Sequence, residues 1–409
     1  MKSLEIFSGA GGMAKGLESA GFEHAAFVEF NKHACASLKV NFEPERVFCG
    51  DIRDYSFTSL SGVDLVAGGP PCQPFSLGGR HKAHQDDRDM FPHAIRAIEN
   101  LQPKAFIFEN VKGLLRPSFA DYFAYILLRL AFPSETAKPG EDWRTHLKEL
   151  KKIQHADYDE VKYQVSHRLL NAADYGVPQT RERVVIVGVR SDLKKIWRFP
   201  EPTHSAERLL WDKRVTGEYW DRHKVAKQQR GAVVASMAEK INRLRNQFGL
   251  FEPDLKPWRT IRDVLCDVPD PRSRHSIPDH LFRDLARTYP GHTGSDYDSP
   301  SKTIKAGGNG VPGGENMIRY HDGSVRYFTV FEAKRIQTFP DDYKITGAWT
   351  EAMRQIGNAV PVLLAETLGK QLLNLLAADK RDFHNRTNGH QLRSRRGVST
   401  ITSSLLEVH

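Results

Sequence analysis

The stretch Leu4-Glu5-Ile6-Phe7-Ser8-Gly9-Ala10-Gly11-Gly12-Met13-Ala14 decides the fold. Leu4–Phe7 reads as a first strand, and Gly9-x-Gly11-x-x-Ala14 follows it at once. Such a turn between strand and helix bends the backbone tightly and admits a ligand to the helix N-terminus. It holds no Lys-Ser/Thr, so it is not a phosphate-gripping loop. Outward from it, His24–Phe30, Val47–Cys49, Asp64–Ala67, Ala105–Phe108 and Arg183–Val189 read as further strands, the last one β-branched through its core. Met13–Ala20 and His93–Asn100 read as helices between them. This alternation predicts an α/β, Rossmann-like unit with a mostly parallel sheet and crossover helices.

The rhythm breaks twice. Residues 116–160 carry an amphipathic helix in SFADYFAYILLRLAF and a charged one near Trp143–Ile153, which together read as a surface insertion. Residues 193–326 are rich in Arg, Lys, His, Gly and Pro, and read as a smaller, loop-rich domain. Helical periodicity returns from Phe331, so residues 1–192 are completed by 327–379. Residues 380–409 read as a basic, polar tail whose composition predicts flexibility.

Composition narrows the class. Of 409 residues, 40% are hydrophobic and 27% charged, which excludes collagen-like, coiled-coil and wholly disordered chains. No apolar run approaches the ~20 residues of a membrane helix, and the start lacks a secretory signal. Four cysteines, Cys35, Cys49, Cys72 and Cys266, are widely spaced with no C-x-x-C pair. That spacing argues against a zinc site or a disulfide scaffold and suits a reducing cytoplasm. The net charge of +9 favours a polyanionic partner through counterion release.

Four strand ends carry chemistry. Glu29 ends the second strand at the spacing from which a carboxylate reaches ribose hydroxyls. Asp51, in Gly50-Asp51-Ile52, ends the third, in reach of an adenine edge; together these point to an adenosine-containing cofactor without saying which. After strand four comes Gly68-Gly69-Pro70-Pro71-Cys72-Gln73-Pro74-Phe75-Ser76, where flanking prolines hold the thiol in one direction. Strand five ends in Phe108-Glu109-Asn110-Val111, which puts an acid at the same edge. A nucleophile and an acid at neighbouring strand ends suit a covalent mechanism. Cys35, Cys49 and Cys266 have no such setting and read as structural.

These motifs, in this order, resemble the cytosine-C5 DNA methyltransferases of bacterial restriction–modification systems. FSGAGG, PPCQPFS and ENV are joined by Asp86–Phe91 (DDRDMF), Gln179-Thr180-Arg181-Glu182-Arg183, Arg335–Pro340 (RIQTFP) and Gln355–Pro361 (QIGNAVP), over nearly the whole chain. Two departures stand out. Where family members often carry Arg-Glu, this chain has Phe331-Glu332, and the cofactor-touching apolar residue of DDRDMFP is either Met90 or Phe91.

The resemblance implies S-adenosylmethionine as cofactor, held by Phe7, Gly9, Ala10, Gly11, Gly12, Glu29, Phe30, Asp51, Ile52, Pro71, Asn358 and Val360. It implies that Cys72 adds to carbon 6 of a cytosine, Glu109 engages ring nitrogen N3, Arg183 binds O2 and Arg181 supports thiol and base. Double-stranded DNA is the implied partner, with the base rotated out of the duplex. Ser76, Arg80 and Lys82 would meet DNA from a loop that closes over it, with Gln179, Thr303, Gly307 and Gly308 behind them; residues 193–326 would choose the target sequence. A cytoplasmic monomer is implied, needing neither metal nor membrane, with a cognate restriction endonuclease encoded nearby but not required as a physical partner. The tRNA-directed relatives carry a Cys-Phe-Thr segment in the smaller domain, which this chain lacks. The glycine turn and Glu29 alone would also permit a nicotinamide-dependent dehydrogenase, and a non-catalytic DNA-binding regulator would bind without transfer; both leave Cys72 and Glu109 without a role.

Overall fold

The computed structural model describes residues 1–71, 89–155, 158–231, 235–249, 251–306 and 316–378. Cys72, Ser76, Arg80, Lys82, Gly307, Gly308 and the tail 380–409 lie outside the described residues.

The strands of the main sheet are β1 (Lys2–Ile6), β2 (Glu23–Glu29), β3 (Val47–Cys49), β4 (Val63–Gly68), β5 (Ala105–Val111), β6 (Tyr163–Asn171) and β7 (Glu182–Arg190). They lie in the order β3-β2-β1-β4-β5-β7-β6. β1 to β5 are mutually parallel, whereas β7 runs antiparallel to both β5 and β6. The mostly parallel sheet is as the alternation predicts. The direction of RVVIVGV is not, because β6 precedes it. Residues 172–181 alone join the two strands, and a parallel return needs a crossover of about a dozen residues or more. β6 (YQVSHRLLN) is a mixed, polar edge strand that buries little beyond Tyr163 and Leu170, so it has no apolar signature.

The order reverses between β1 and β4, which makes their carboxyl ends the crevice where such sheets take ligands. Helices α1 (Gly12–Ala20), α2 (Lys32–Asn41) and α3 (Phe91–Leu101) follow β1, β2 and β4. Two more, α4 (Ala120–Ala131) and α5 (Trp143–Ile153), fill the segment that reads as a surface insertion. That expectation is corrected. Tyr122, Phe123, Ile126 and Leu130 are buried against Phe106, Phe108, Val184 and Ile186, so α4 is the layer that covers this end of the sheet. Its apolar stripe repeats at helical spacing, as a core-facing helix requires.

The C-terminal helix Val362–Ala377 returns to α1, and glycine permits the approach. A β-carbon on Gly12 would lie 2.3 Å from the Val360 carbonyl, and one on Gly16 would lie 2.5 Å from that of Val362. Four residues apart, the two glycines share one helix face, and Leu17, Leu364, Leu368 and Leu372 close the seam. Part of the glycine pattern therefore serves helix packing.

Residues beyond 193 are less loop-like than their composition suggests, since Ala206–Trp211 and Ala235–Phe248 are helices. Ile261, Val264, Ile304 and Ile318 share one core with Phe27, Leu38, Ile336 and Ile356, while Leu209, Tyr219, Trp220 and Val225 form a small core apart. Asp298, fully buried, accepts bonds from Tyr219 (2.7 Å) and Arg262 (2.6 Å) and pairs with His321 (2.5 Å). The Phe331-Glu332 departure also finds its explanation here. Arg326 donates to both oxygens of buried Glu332, at 2.7 and 2.5 Å, so the guanidinium comes from the strand Val325–Tyr327 that precedes the helix Val330–Ile336, and Phe331 is free to pack in the core. No helix of the described residues is long and apolar enough to cross a membrane.

Candidate active site

One cavity of about 670 Å³ opens at the ends of β1, β2, β4 and β5. β1 runs into Gly9 and Ala10. Gly11 (φ 83°) caps α1 in the left-handed region that a side chain would resist. Glu29, at the end of β2, turns back over that loop: its carboxylate accepts from the Gly9 N–H and the Asn31 N–H, both at 2.7 Å. Burial raises the Glu29 carboxyl above its ordinary pKa, and these N–H bonds oppose the rise. Phe30 stands at the rim, 74% exposed.

On the other side, β5 delivers Glu109 and β7 delivers Arg183. Val111 pairs with Arg183 in the antiparallel register, so Arg183 and Glu109 sit diagonally on the same face. Arg183 Nε lies 2.6 Å from Glu109 Oε1. Next to Glu109, Asn110 donates to the Pro70 carbonyl at 3.0 Å and pins the turn that leads into Pro71. Pro71 is the last described residue before position 72 and lines the same cavity.

Arg181 is almost fully buried. It donates to the Ile304 carbonyl (3.2 Å) and the Gly357 carbonyl (2.8 Å), and its Nε has no hydrogen-bond partner among the described residues. Burial, then the neighbouring Arg183 charge, push its pKa down. It therefore joins the cavity wall at Gly357 to the segment that carries Thr303. That segment is tight: a β-carbon on Gly357 would lie 2.6 Å from Lys305 C and Ala306 N.

Of the residues that the sequence assigns to the cofactor, Phe7, Gly9, Ala10, Gly12, Glu29, Phe30, Pro71, Asn358 and Val360 line the cavity, as do Glu109, Arg181 and Arg183. Gly11 does not; it faces Tyr343, Leu38 and Phe42 from behind the turn. Asp51 and Ile52 are likewise not brought to the cavity wall. Asp51 is spent on the Arg53 N–H (2.9 Å) and guanidinium (2.6 Å), and Ile52 packs in the core. Neither Met90 nor Phe91 lines it; Phe91 is core, and the Met90 N–H donates to Pro71.

Two residues assigned to DNA make inward bonds. Gln179 is fully buried, donates to Gln337 (3.1 Å) and accepts from the Ile304 N–H (3.0 Å). The Thr303 hydroxyl donates inward to the Thr180 carbonyl at 2.8 Å. Both side chains lash the entrance of β7 to residues 303–304. Sequence reading missed Glu5, Ser8, Asn31 and Arg354 on the wall. Glu5 carried a signal, as a carboxylate inside an apolar strand run. Arg354 carried one too, lying four residues before Asn358 on the same helix face.

S-adenosylmethionine fits these residues. The volume is within the usual range for small-ligand pockets of roughly 300–1,000 Å³. Each Glu29 oxygen keeps a lone pair for a ribose hydroxyl, Phe30 offers an uncovered aromatic face, and the glycine turn has no side chain at Gly9 to fill the floor.

Comparison with known proteins bears on the same residues. The model of the C-5 cytosine-specific DNA methylase family matches residues 1–132 and 143–374. The chain is 30% identical over 380 residues to the type II methyltransferase M.NgoMIV of Neisseria gonorrhoeae, covering 91% of this chain and 97% of that protein. It is 32% identical over 383 residues to M.PspPI of Psychrobacter sp., covering 93% and 80%. Two solved structures share the fold. A putative DNA modification methyltransferase encoded within an E. coli prophage has a TM-score of 0.57 at 20% identity over 92% of this chain and all of that one. S. pombe Dnmt2 has a TM-score of 0.52 at 16% identity over the same shares. Because the family match takes in both the strand-end motifs and the C-terminal helices that close the cavity, the chain belongs to the C-5 cytosine-specific DNA methylases, enzymes that methylate carbon 5 of cytosine in DNA.

Proposed function

We propose that the cavity holds S-adenosylmethionine between the β1 turn and Glu29, and a cytosine rotated out of duplex DNA between Pro71, Glu109 and Arg183. The observation that carries this reading is the Glu109–Arg183 pair, 2.6 Å apart, in one cavity with the Gly9 turn and Glu29. When bound, S-adenosylmethionine supplies an electrophilic methyl group on a positively charged sulfur. Glu29, with Phe30 and Asn358, orients it. The Cys72 sulfur donates an electron pair to carbon 6 of cytosine, for which it must be thiolate, although a free thiol titrates near ~8.5. Glu109 serves N3, and Arg183 holds O2 as charge moves into the ring. Carbon 5 thereby becomes nucleophilic and takes the methyl group; a base from solvent then removes its proton, and that electron pair re-forms the C5–C6 double bond and expels Cys72 as thiolate. Arg181 acts as a positioning residue that fixes the wall at Gly357.

Duplex DNA lies across the mouth of the cavity, drawn by the net charge of +9, and Ser76, Arg80 and Lys82 contact it. Residues 1–192 with 327–379 form the catalytic domain and 193–326 the target-recognition domain. The protein works in the cytoplasm as a monomer, without metal or membrane, and protects host DNA from a cognate restriction endonuclease. DNA carrying 5-fluorocytosine tests the reading, since fluorine at carbon 5 cannot leave as a proton would. With the methyl donor present, a covalent protein–DNA adduct should map to Cys72; turnover without any trapped adduct at that position defeats the mechanism.

A further inference from the structure

Cys35 and Cys49 are distant in sequence and take no part in the chemistry above. The fold brings them together beside the cofactor wall. β2 pairs with β3 so that Glu29 stands opposite Cys49. The Glu29 carbonyl accepts the Gly50 N–H at 2.9 Å and the Cys35 thiol at 3.2 Å. The Cys35 thiol thus sits on the residue that faces Cys49 across the β2–β3 pair, within hydrogen-bond reach of the Cys49 side chain, and its pKa is pushed up by burial and then by that contact. Both are free; Cys35 is buried and Cys49 exposed. The same short segment carries the cavity wall: Asn31 caps α2, accepting from the His33 and Ala34 N–H groups, and Glu29, Asn31 and Ala34 line the cavity.

We propose that Cys35 and Cys49 form an oxidisable dithiol whose disulfide deforms the cofactor wall and weakens cofactor binding; the second half rests on the cofactor reading of the cavity. The oxidant is a hydroperoxide. Exposed Cys49 attacks the peroxide oxygen, the O–O bond breaks, and water and a sulfenic acid result. Cys35 then attacks that sulfur; its proton joins the departing hydroxide as a second water, and the S–S bond forms. Two thiols lose two electrons and one peroxide gains them. A disulfide holds its sulfurs about 2.05 Å apart, well inside non-bonded contact. Closing it draws the first turn of α2 towards β3 and breaks the Cys35 bond to the Glu29 carbonyl, which displaces Asn31 and with it the Glu29 carboxylate.

The full chain, treated with hydrogen peroxide and then alkylated, should yield a Cys35–Cys49 linked peptide by mass spectrometry. Its affinity for S-adenosylhomocysteine should fall about tenfold and recover with dithiothreitol. Binding is the readout because oxidation of Cys72 would abolish turnover for an unrelated reason. C35S and C49S should each keep the reduced affinity and lose the response. Hydrogen exchange at the Gly9 and Asn31 amides reads the wall without any cofactor and should quicken in the oxidised form. If the reduced chain fails to bind the probe, the cofactor reading fails, while the linked peptide and the exchange still judge the dithiol. Independent alkylation of the two cysteines after peroxide overturns the proposal. So does a linked peptide with unchanged exchange and affinity, or a response that persists in C49S.

Discussion

Glu29→Gln is a near-isosteric change whose effect follows from the direction of two bonds. The Gly9 and Asn31 N–H groups each donate at 2.7 Å, one to each carboxylate oxygen. Glutamine has one oxygen and one NH₂, so one N–H must face another donor in a largely buried turn. A hydrogen bond to a charged group contributes about 1.5–3 kcal/mol, and an orphaned buried donor costs about 1–3 kcal/mol. The second effect acts on the empty protein, so its melting temperature should fall by a few degrees. The first acts on the ribose hydroxyls, where about 1.5–3 kcal/mol corresponds to roughly 10- to 150-fold weaker binding. Titration calorimetry with S-adenosylhomocysteine and a thermal melt, run together, separate the two. The pH dependence adds a check. Burial raises the folded carboxyl pKa, so protonation begins above the ordinary carboxylate value of about 4.3. Acidification through that raised pKa favours the folded state at this group, since the folded form binds the proton more tightly than the unfolded chain. The same proton removes an acceptor from the ribose, so wild-type affinity should decline there while Glu29→Gln stays flat. Binding within twofold of wild type, with an unchanged melting temperature, would refute the role given to this carboxylate.

Cys72→Ala should abolish methyl transfer yet keep S-adenosylhomocysteine affinity within twofold, as judged by a radiolabel transfer assay beside calorimetry; measurable turnover would remove the nucleophile. Gly357→Ala drives a β-carbon to 2.6 Å from the backbone of Lys305 and Ala306. Overpacking of that kind costs about 1–3 kcal/mol; urea unfolding should show it, together with weaker cofactor binding through neighbouring Asn358. Glu332→Ala leaves Arg326 charged and buried without its partner, at a cost of about 3–5 kcal/mol in the same unfolding assay. A loss under 1 kcal/mol would mean that the pair is solvent-screened.

Local pattern carried much of the reading because it is enforced locally. Val47–Cys49 and Trp143–Ile153 lie where the pattern puts them, since β-branched runs and amphipathic periodicity act within a few residues. The Gly9 turn, Glu29 and Glu109 were legible because strand ends in such a sheet converge on one crevice. Direction and partnership were not. RVVIVGV reads as a strand from its side chains, but only its pairing between β5 and β6 turns it antiparallel and brings Arg183 to Glu109. The polar side chains of Gln179 and Thr303 do not reveal in the sequence that they brace the entrance of β7; only their neighbours at Gln337, Ile304 and Thr180 show it. Arg326 replaces a missing guanidinium from outside the motif. Cys35, on α2, and Cys49, on β3, come near each other through Glu29, which bonds the one and pairs with the other. By itself, then, the sequence determined every strand of the main sheet but β6, the glycine turn and which residues stand at the strand ends, since each depends on residues a few positions apart. Which buried polar groups meet was decided by the tertiary structure, because a donor finds its acceptor across space and not along the chain.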